Sequence, residues 1–433
     1  MVLRTCGLSG PKARPAGQIN EIENAPVFSS LLFFTQKKIN PHYGVQTIMK
    51  KIQLLNKIAP IGTDRFDRNL YEVGADIAAP DAIMVRSAAM HDMQFNPELT
   101  AIARCGAGVN NIPVDDCAAK GIVVFNTPGA NANGVKELTI AALLLASRNI
   151  IGGVEWANTL TENVAKSVEA GKSAYGGCEL LGKTLGVIGL GAIGGLVANA
   201  AKSIGMKVIG CDPFISIDAA WHLSMEVQKA EKYEEIFKTC DYITLHVPAT
   251  KDTKNMINAE SIAMMKKGVK IINLARADLV NAADLKDALA SGQISAYVTD
   301  FPTEETINTP GIIAIPHLGA STTESEDNCA VMAADQLMEF LTHGNIKNSV
   351  NYPSIELPVT AGTNRIVILH KNIPNMISHI ATILAKQNVN IENMANRSKG
   401  DYAVTLIDTF NDVNDAMAAE ICAMEGIIRV IRI

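Results

Sequence analysis

Apolar residues recur along this chain in short dense blocks, at 52–55, 82–85, 101–105 and 122–125, and again at 185–188, 207–210, 242–247, 268–274, 296–299 and 312–315. Continuous blocks of this length predict strands buried on both faces, as in a parallel sheet. Between them the spacing turns helical: Ile193, Val197, Ala201 and Ile204 lie on one face, and 135–148, 284–290 and 324–341 read as further helices. From residue 364 the rhythm changes to strand 365–370, helix 375–386, strand 390–397, strand 402–408, helix 413–422 and strand 427–433. That βαββαβ order predicts a small ferredoxin-like unit.

One block carries chemistry. The strand over 185–188 runs straight into Gly189-Leu190-Gly191-Ala192-Ile193-Gly194, a helix opens at the last glycine, and a second strand ends at Asp212. This is the βαβ setting of a dinucleotide fingerprint. Gly189 would make the tight turn, Gly191 would admit a pyrophosphate, and Gly194 would let helix and strand pack closely. Ala192 and Ile193 open the helix whose free N–H groups favour anions. Asp212, 18 residues after Gly194, is at the reach of the adenosine ribose and disfavours a 2′-phosphate, so NAD is the expected cofactor. The fold class expected is α/β, with two doubly wound, Rossmann-like domains and the ferredoxin-like unit behind them.

Composition narrows the partners. The 433 residues are 48% hydrophobic and 19% charged, with a net charge of −6. That fits a globular chain of two or three domains and makes nucleic acid and anionic membrane poor partners. No apolar run approaches the roughly 18 residues of a spanning helix. The eight cysteines are scattered without a CxxC pair, which predicts reduced thiols, a cytoplasmic setting and no metal site.

The domain boundaries follow from breaks in the pattern. Residues 1–48 carry Pro11, Pro15, Pro26 and Pro41 and no sustained period, and read as a poorly ordered extension, with Met49 as a fresh start. Residues 49–149 and 310–345 read as a discontinuous substrate-binding domain, 150–309 as the NAD-binding domain, 346–362 as a linker and 363–433 as the C-terminal unit. Ligands in doubly wound sheets bind outside the carboxyl ends of strands. Arg86 and Ser87, Arg104, Gly106 and Gly108, and Asn131 all follow strands of the first domain, and are therefore candidates to hold an anionic small molecule. After the fingerprint, Arg276, Glu304 or Glu305, and His317 also sit at strand ends. A hydroxy-acid dehydrogenase needs such a set: a base for the hydroxyl proton and a cation for the carboxylate and carbonyl.

The ordered motifs GVIGLGAIG (186–194), LHVPAT (245–250), NLARADLV (273–280) and IPHLGAST (315–322), with VRS (85–87), GAGVNNI (106–112) and NTPGAN (126–131) upstream, resemble the D-isomer-specific 2-hydroxyacid dehydrogenase family over about residues 49–433. The C-terminal unit resembles an ACT domain. The resemblance implies that His317 is the acid/base, Arg276 grips the substrate, and a glutamate, Glu305 by its spacing from Asp300, pairs with His317; matching FPTE would select Glu304. It implies that His246, Val247, Pro248, Ala275 and Asp300 line the cofactor. The substrate it implies is a phosphorylated hydroxy acid, 3-phospho-D-glycerate, oxidised with NAD at the start of L-serine synthesis. The alternatives are reduction of another small 2-oxo acid (hydroxypyruvate, glyoxylate or 2-oxoglutarate) and a non-catalytic NAD-sensing protein. HKNIPN (370–375) resembles a serine-binding loop, which makes Asn372 and Asn390 expected contacts for an L-serine effector. Asn375 stands there where glycine is usual, and Ala277 and Asp278 replace the glycine and small residue usual after the arginine. A homodimer or homotetramer is implied as well.

Overall fold

The computed structural model describes residues 49–433, so the expectation for residues 1–48 lies outside the described residues. Strands β1 (Lys50–Leu55), β2 (Tyr71–Gly74), β3 (Ala82–Val85), β4 (Ala101–Arg104) and β5 (Val123–Phe125) form a parallel sheet in the order β2-β1-β3-β4-β5. Strands β6 (Thr184–Ile188), β7 (Lys207–Cys211), β8 (Gln228–Lys229), β9 (Tyr242–Leu245), β10 (Val269–Asn273), β11 (Ile294–Thr299) and β12 (Ile312–Ala314) form a second parallel sheet, ordered β12-β11-β10-β9-β6-β7-β8. The strand order reverses at β1/β3 in the first sheet and at β6/β9 in the second. These switch points are where doubly wound sheets open a crevice for ligands. Strands β13 (Asn364–Lys371), β14 (Ile391–Lys399), β15 (Tyr402–Thr409) and β16 (Ile427–Arg432) form an antiparallel sheet ordered β14-β15-β13-β16, the ferredoxin-like arrangement expected.

Three boundaries differ from those expected. First, β12 pairs with β11, so residues 312–314 belong to the second sheet, although the helix Thr323–His343 that follows packs on the first. Second, Val135, Ala142, Leu143 and Ala146 of the helix Ala132–Ser147 join the core of β6 and its neighbours, so the crossover to the second sheet begins near 132 rather than 150. Third, residues 346–362 are not a free linker. Ile346, Tyr352 and Ile355 are buried in the first sheet's core. The Asn351 side chain accepts from the Val124 amide at 2.9 Å and donates to the Ile122 carbonyl at 2.9 Å, while the Tyr352 hydroxyl donates to the Ala118 carbonyl at 2.7 Å. The segment caps the edge of β5 with side-chain hydrogen bonds, which leave no periodic trace in the sequence.

The same core continues into the C-terminal unit. Val367 and Leu369 of β13 and Val404 and Leu406 of β15 pack with Phe125, Phe340 and Tyr352. The other face of that sheet is covered by helices Met376–Lys386 and Asp415–Cys422 through Ile380, Leu384 and Ile421. Arg365 fastens the junction: its guanidinium donates to both Asp408 oxygens at 2.6 and 2.8 Å and to the carbonyls of His343, Leu357 and Pro358 at 2.8–2.9 Å. A buried charge left without its partner costs about 3–5 kcal/mol. Asp408→Ala should therefore lower the guanidinium unfolding midpoint by a matching amount, and Arg365→Met with Asp408→Leu together should recover most of that loss.

Candidate active site

The fingerprint turn sits at the β6/β9 switch point. Gly189 has φ +88, and a Cβ there would lie 2.5 Å from the His246 carbonyl oxygen. A Cβ on Gly194 would lie 1.8 Å from the Gly189 oxygen, so this glycine is required by packing. Gly191 differs: its φ is −68 and a Cβ would meet nothing within 4 Å. The space above it, at the start of helix Ala192–Ser203, fits a pyrophosphate. Asp212 ends β7 with one oxygen accepting from the Leu190 amide at 2.8 Å and the other from the Phe214 amide at 2.9 Å, which fixes the carboxylate beside the turn. His246, at the end of β9, shares a 3.0 Å hydrogen bond with the Thr244 hydroxyl, and burial pulls its pKa down to about 4. It is neutral near pH 7 and adds no cation. Val247 and Pro248 follow it on the rim, and the Val247 side chain would lie 2.9 Å from a Cβ on Gly189.

The candidate reacting groups meet at the ends of β10 and β11. The buried Asn273 side chain accepts from the amides of Ala275 and Arg276 at 3.1 and 3.3 Å and donates to the Arg276 carbonyl at 2.8 Å. This bracket fixes the turn that presents Arg276. The His317 ring lies against Phe301 with centroids 4.4 Å apart, and the Arg276 guanidinium stands 5.6 Å from the centre of the same ring. Asp300 is 1% exposed. One of its oxygens accepts from the Gly319 amide at 3.0 Å and the other has no partner. Burial pushes the Asp300 pKa up, against that hydrogen bond and the opposing influence of His317 and Arg276. An orphaned carboxylate oxygen buried at this point suits a cofactor group that donates a hydrogen bond. Glu304 and Glu305 are both exposed and neither contacts His317 among the described hydrogen bonds and ion pairs; the turn carrying them is closed by Thr303 and Thr306. Asp278 lies exposed in the short turn 277–279.

The first sheet contributes the facing rim. The Arg276 Nη2 lies 3.4 Å from where a Cβ on Gly108 would stand, so the 106–108 loop and Arg276 meet across the cleft. Gly106 has φ +149 with the Arg104 guanidinium packed against it, and any Cβ there would collide with that group. The Arg104 Nε is buried without a partner. The Asn126 side chain donates to the Ala107 carbonyl and the Thr127 amide to the Gly106 carbonyl, which ties the loop holding Asn131 to the 106–108 loop. Asn56, at φ +72, accepts from the Ser87 and Ala88 amides and so holds the turn after Arg86. Arg86 itself pairs with Glu326 at 2.6 Å. Phe301, Asn273 and Glu326 were not singled out from sequence; the aromatic in FPTE and the acid in the first turn of helix Thr323–His343 were the available signals.

Asn372 and Asn390 are not brought together. Asn372 follows β13 at the end where Lys371 faces Tyr402, whereas Asn390 precedes β14 at the end where Ile391 faces Thr409. The length of a strand separates them, about 25 Å. Asn375 takes the left-handed conformation, φ 68, that a glycine would supply and that asparagine tolerates.

Residues 140–319 match the family model for the D-isomer specific 2-hydroxyacid dehydrogenase NAD binding domain. The D-3-phosphoglycerate dehydrogenase of Escherichia coli is 33% identical over 345 residues, covering 77% of this chain and 81% of that protein. This chain belongs to the D-isomer-specific 2-hydroxyacid dehydrogenase family. Its seven-stranded sheet is therefore an NAD-binding domain. The D-3-phosphoglycerate dehydrogenase of Bacillus subtilis is 35% identical over 66% of this chain, and here the chain spans only 54% of the relative's length; for that of Methanocaldococcus jannaschii the share is 53%. Among solved structures, an NAD+-bound 3-phosphoglycerate dehydrogenase of Entamoeba histolytica is 28% identical with a TM-score of 0.54, over 70% of this chain and 99% of that one. Apo D-mandelate dehydrogenase of Rhodotorula graminis shares the fold, with a TM-score of 0.61 at 20% identity over 72% of this chain and all of that one.

The two family glycines separate by experiment. Gly191→Ala should keep the melting temperature within about 1–2 °C and weaken NADH binding, read by NADH fluorescence, because its Cβ enters only the pyrophosphate space. Gly194→Ala should lower the melting temperature outright, because its Cβ overlaps the Gly189 oxygen.

Proposed function

We propose that this protein oxidises 3-phospho-D-glycerate to 3-phosphohydroxypyruvate with NAD, the first step of L-serine synthesis. The observation that carries the reading is the convergence of His317 and Arg276 on the Phe301 ring, facing a rim that holds Arg86 and Arg104. Held at the Gly191 turn, NAD would supply the acceptor for the C2 hydride. His317 takes the C2 hydroxyl proton, and Arg276 holds the carboxylate and the C2 oxygen. Arg86 and Arg104 take the phosphate, with Ser87, Asn131 and the Gly106 and Gly108 backbone completing its cradle. Asp300 orients the cofactor through its free oxygen. Glu305, in preference to Glu304, is the glutamate this reading assigns to His317, which requires its exposed turn to move onto the imidazole. A 2-oxo acid without a second anion would leave the buried Arg104 uncompensated, and a protein that only senses NAD has no use for His317.

The C-terminal unit takes L-serine in this reading. Because one chain holds Asn372 and Asn390 at opposite ends of its sheet, a shared ligand requires a second copy meeting the edge strand β14. The exposed apolar side chains of Ile150, Ile151 and Val154 offer a further surface for a second copy. The described cysteines are all free thiols, in keeping with a reducing compartment such as the cytoplasm.

NADH should form from 3-phosphoglycerate and NAD at alkaline pH. His317→Ala should cut kcat by about 10²–10⁴-fold with NADH binding retained, and Glu305→Gln should lower kcat more than Glu304→Gln. No turnover in the unaltered protein would remove this substrate. L-serine should inhibit the wild type; Asn372→Ala and Asn390→Ala should each abolish inhibition, and a mixture of the two variants should regain part of it, because mixed oligomers restore one intact site.

A further inference from the structure

Arg86 stands at the end of β3, and Glu326 lies in the first turn of helix Thr323–His343, nine residues after His317. Arg86 Nη2 and Glu326 Oε1 are 2.6 Å apart, and their side chains are 40% and 41% exposed. Among the described residues Glu326 is the only carboxylate paired with any of the three cleft arginines, Arg86, Arg104 and Arg276. Burial lowers the pKa of Arg104, and the like charges of Arg86 and Arg276 add to that. The Arg104 Nε has no acceptor. The cleft therefore presents three cations, and the one carboxylate ion-paired to any of them occupies Arg86.

We propose that Glu326 is a specificity-determining residue that competes with the substrate's phosphate for Arg86. This rests on the reading that Arg86 receives the phosphate. In the free protein one Glu326 carboxylate oxygen engages the Arg86 Nη2 and holds that guanidinium in place. A phosphate can displace it, because a dianion gains more from Arg86 and Arg104 together than a single carboxylate gains from Arg86. A substrate lacking the phosphate does not reach the pair and is indifferent to it. The half-exposed geometry sets the size of the effect: pairs of this kind are worth about two- to five-fold in an equilibrium constant.

The test compares the wild-type chain with Glu326→Gln and Glu326→Asp. Glu326→Gln should lower KM for 3-phosphoglycerate about two- to five-fold with kcat within about two-fold, and should leave KM for hydroxypyruvate, reduced with NADH, unchanged. Glu326→Asp, which keeps the charge, should stay near wild type. Calorimetric binding of 2-phosphoglycolate to the NADH-loaded protein reads the same competition without turnover, and Glu326→Gln should tighten it by the same factor. An unchanged or raised KM for 3-phosphoglycerate, or an equal fall for hydroxypyruvate, overturns the inference. If wild type binds phosphoglycolate and Glu326→Gln binds it no tighter, this inference fails alone. If wild type neither turns over 3-phosphoglycerate nor binds phosphoglycolate, the proposed reaction fails and this inference falls with it.

Discussion

The Gly189 carbonyl oxygen occupies the space that a side chain on Gly194 would need. That contact seats the start of helix Ala192–Ser203 directly on the end of β6, at the point where the strand order of the second sheet reverses. Everything on the cofactor side is referred to it. The Asp212 carboxylate reaches back to the Leu190 amide within the same turn, and the His246 carbonyl packs on Gly189 from the next strand. A larger residue at either glycine would move the helix off the sheet and carry the anion-binding N–H groups with it.

The reaction side depends on a different balance. Three guanidinium groups approach one cleft from two sheets, which costs electrostatic energy in the absence of an anion. The fold meets that cost with side chains that hold each cation singly: the Asn273 bracket behind Arg276, the tight turn of Gly106 over Arg104, and Glu326 on Arg86. Preorganised cations of this kind stabilise developing negative charge without waiting for the protein to rearrange. Phe301 is the shared neighbour, since its ring packs on the His317 imidazole and lies within cation–π reach of the Arg276 guanidinium.

Much of this was legible along the chain. The buried strands β3, β4, β6, β9 and β10 announce themselves as apolar blocks, and the glycine turn with Asp212 gives the cofactor, because in these elements local sequence and tertiary role agree. What escaped was long-range or side-chain borne. Strand β2 has only Tyr71 and Val73 to mark it. Residues 346–362 looked like a linker because Asn351 and Tyr352 act through hydrogen bonds to residues more than 220 positions away, which no periodicity records. Arg86 and Glu326 are likewise 240 positions apart. The glutamate paired with the histidine in the family pattern could be narrowed to two adjacent residues from sequence, and both stand in an exposed turn, whereas the neighbouring Asp300 is the buried one.

The core shared by the first sheet and the C-terminal sheet has a consequence for how the molecule behaves as a whole. A domain that hangs from a flexible tether can be lost or exchanged without harm to its neighbour. Here, removal of β13 to β16 would strip cover from Phe125, Phe340 and Tyr352 and leave them facing water, and the cleft loop after β5 would lose its backing. The C-terminal unit is thus not an appendage but one wall of the domain built on the first sheet, and the two are built to melt as one cooperative block.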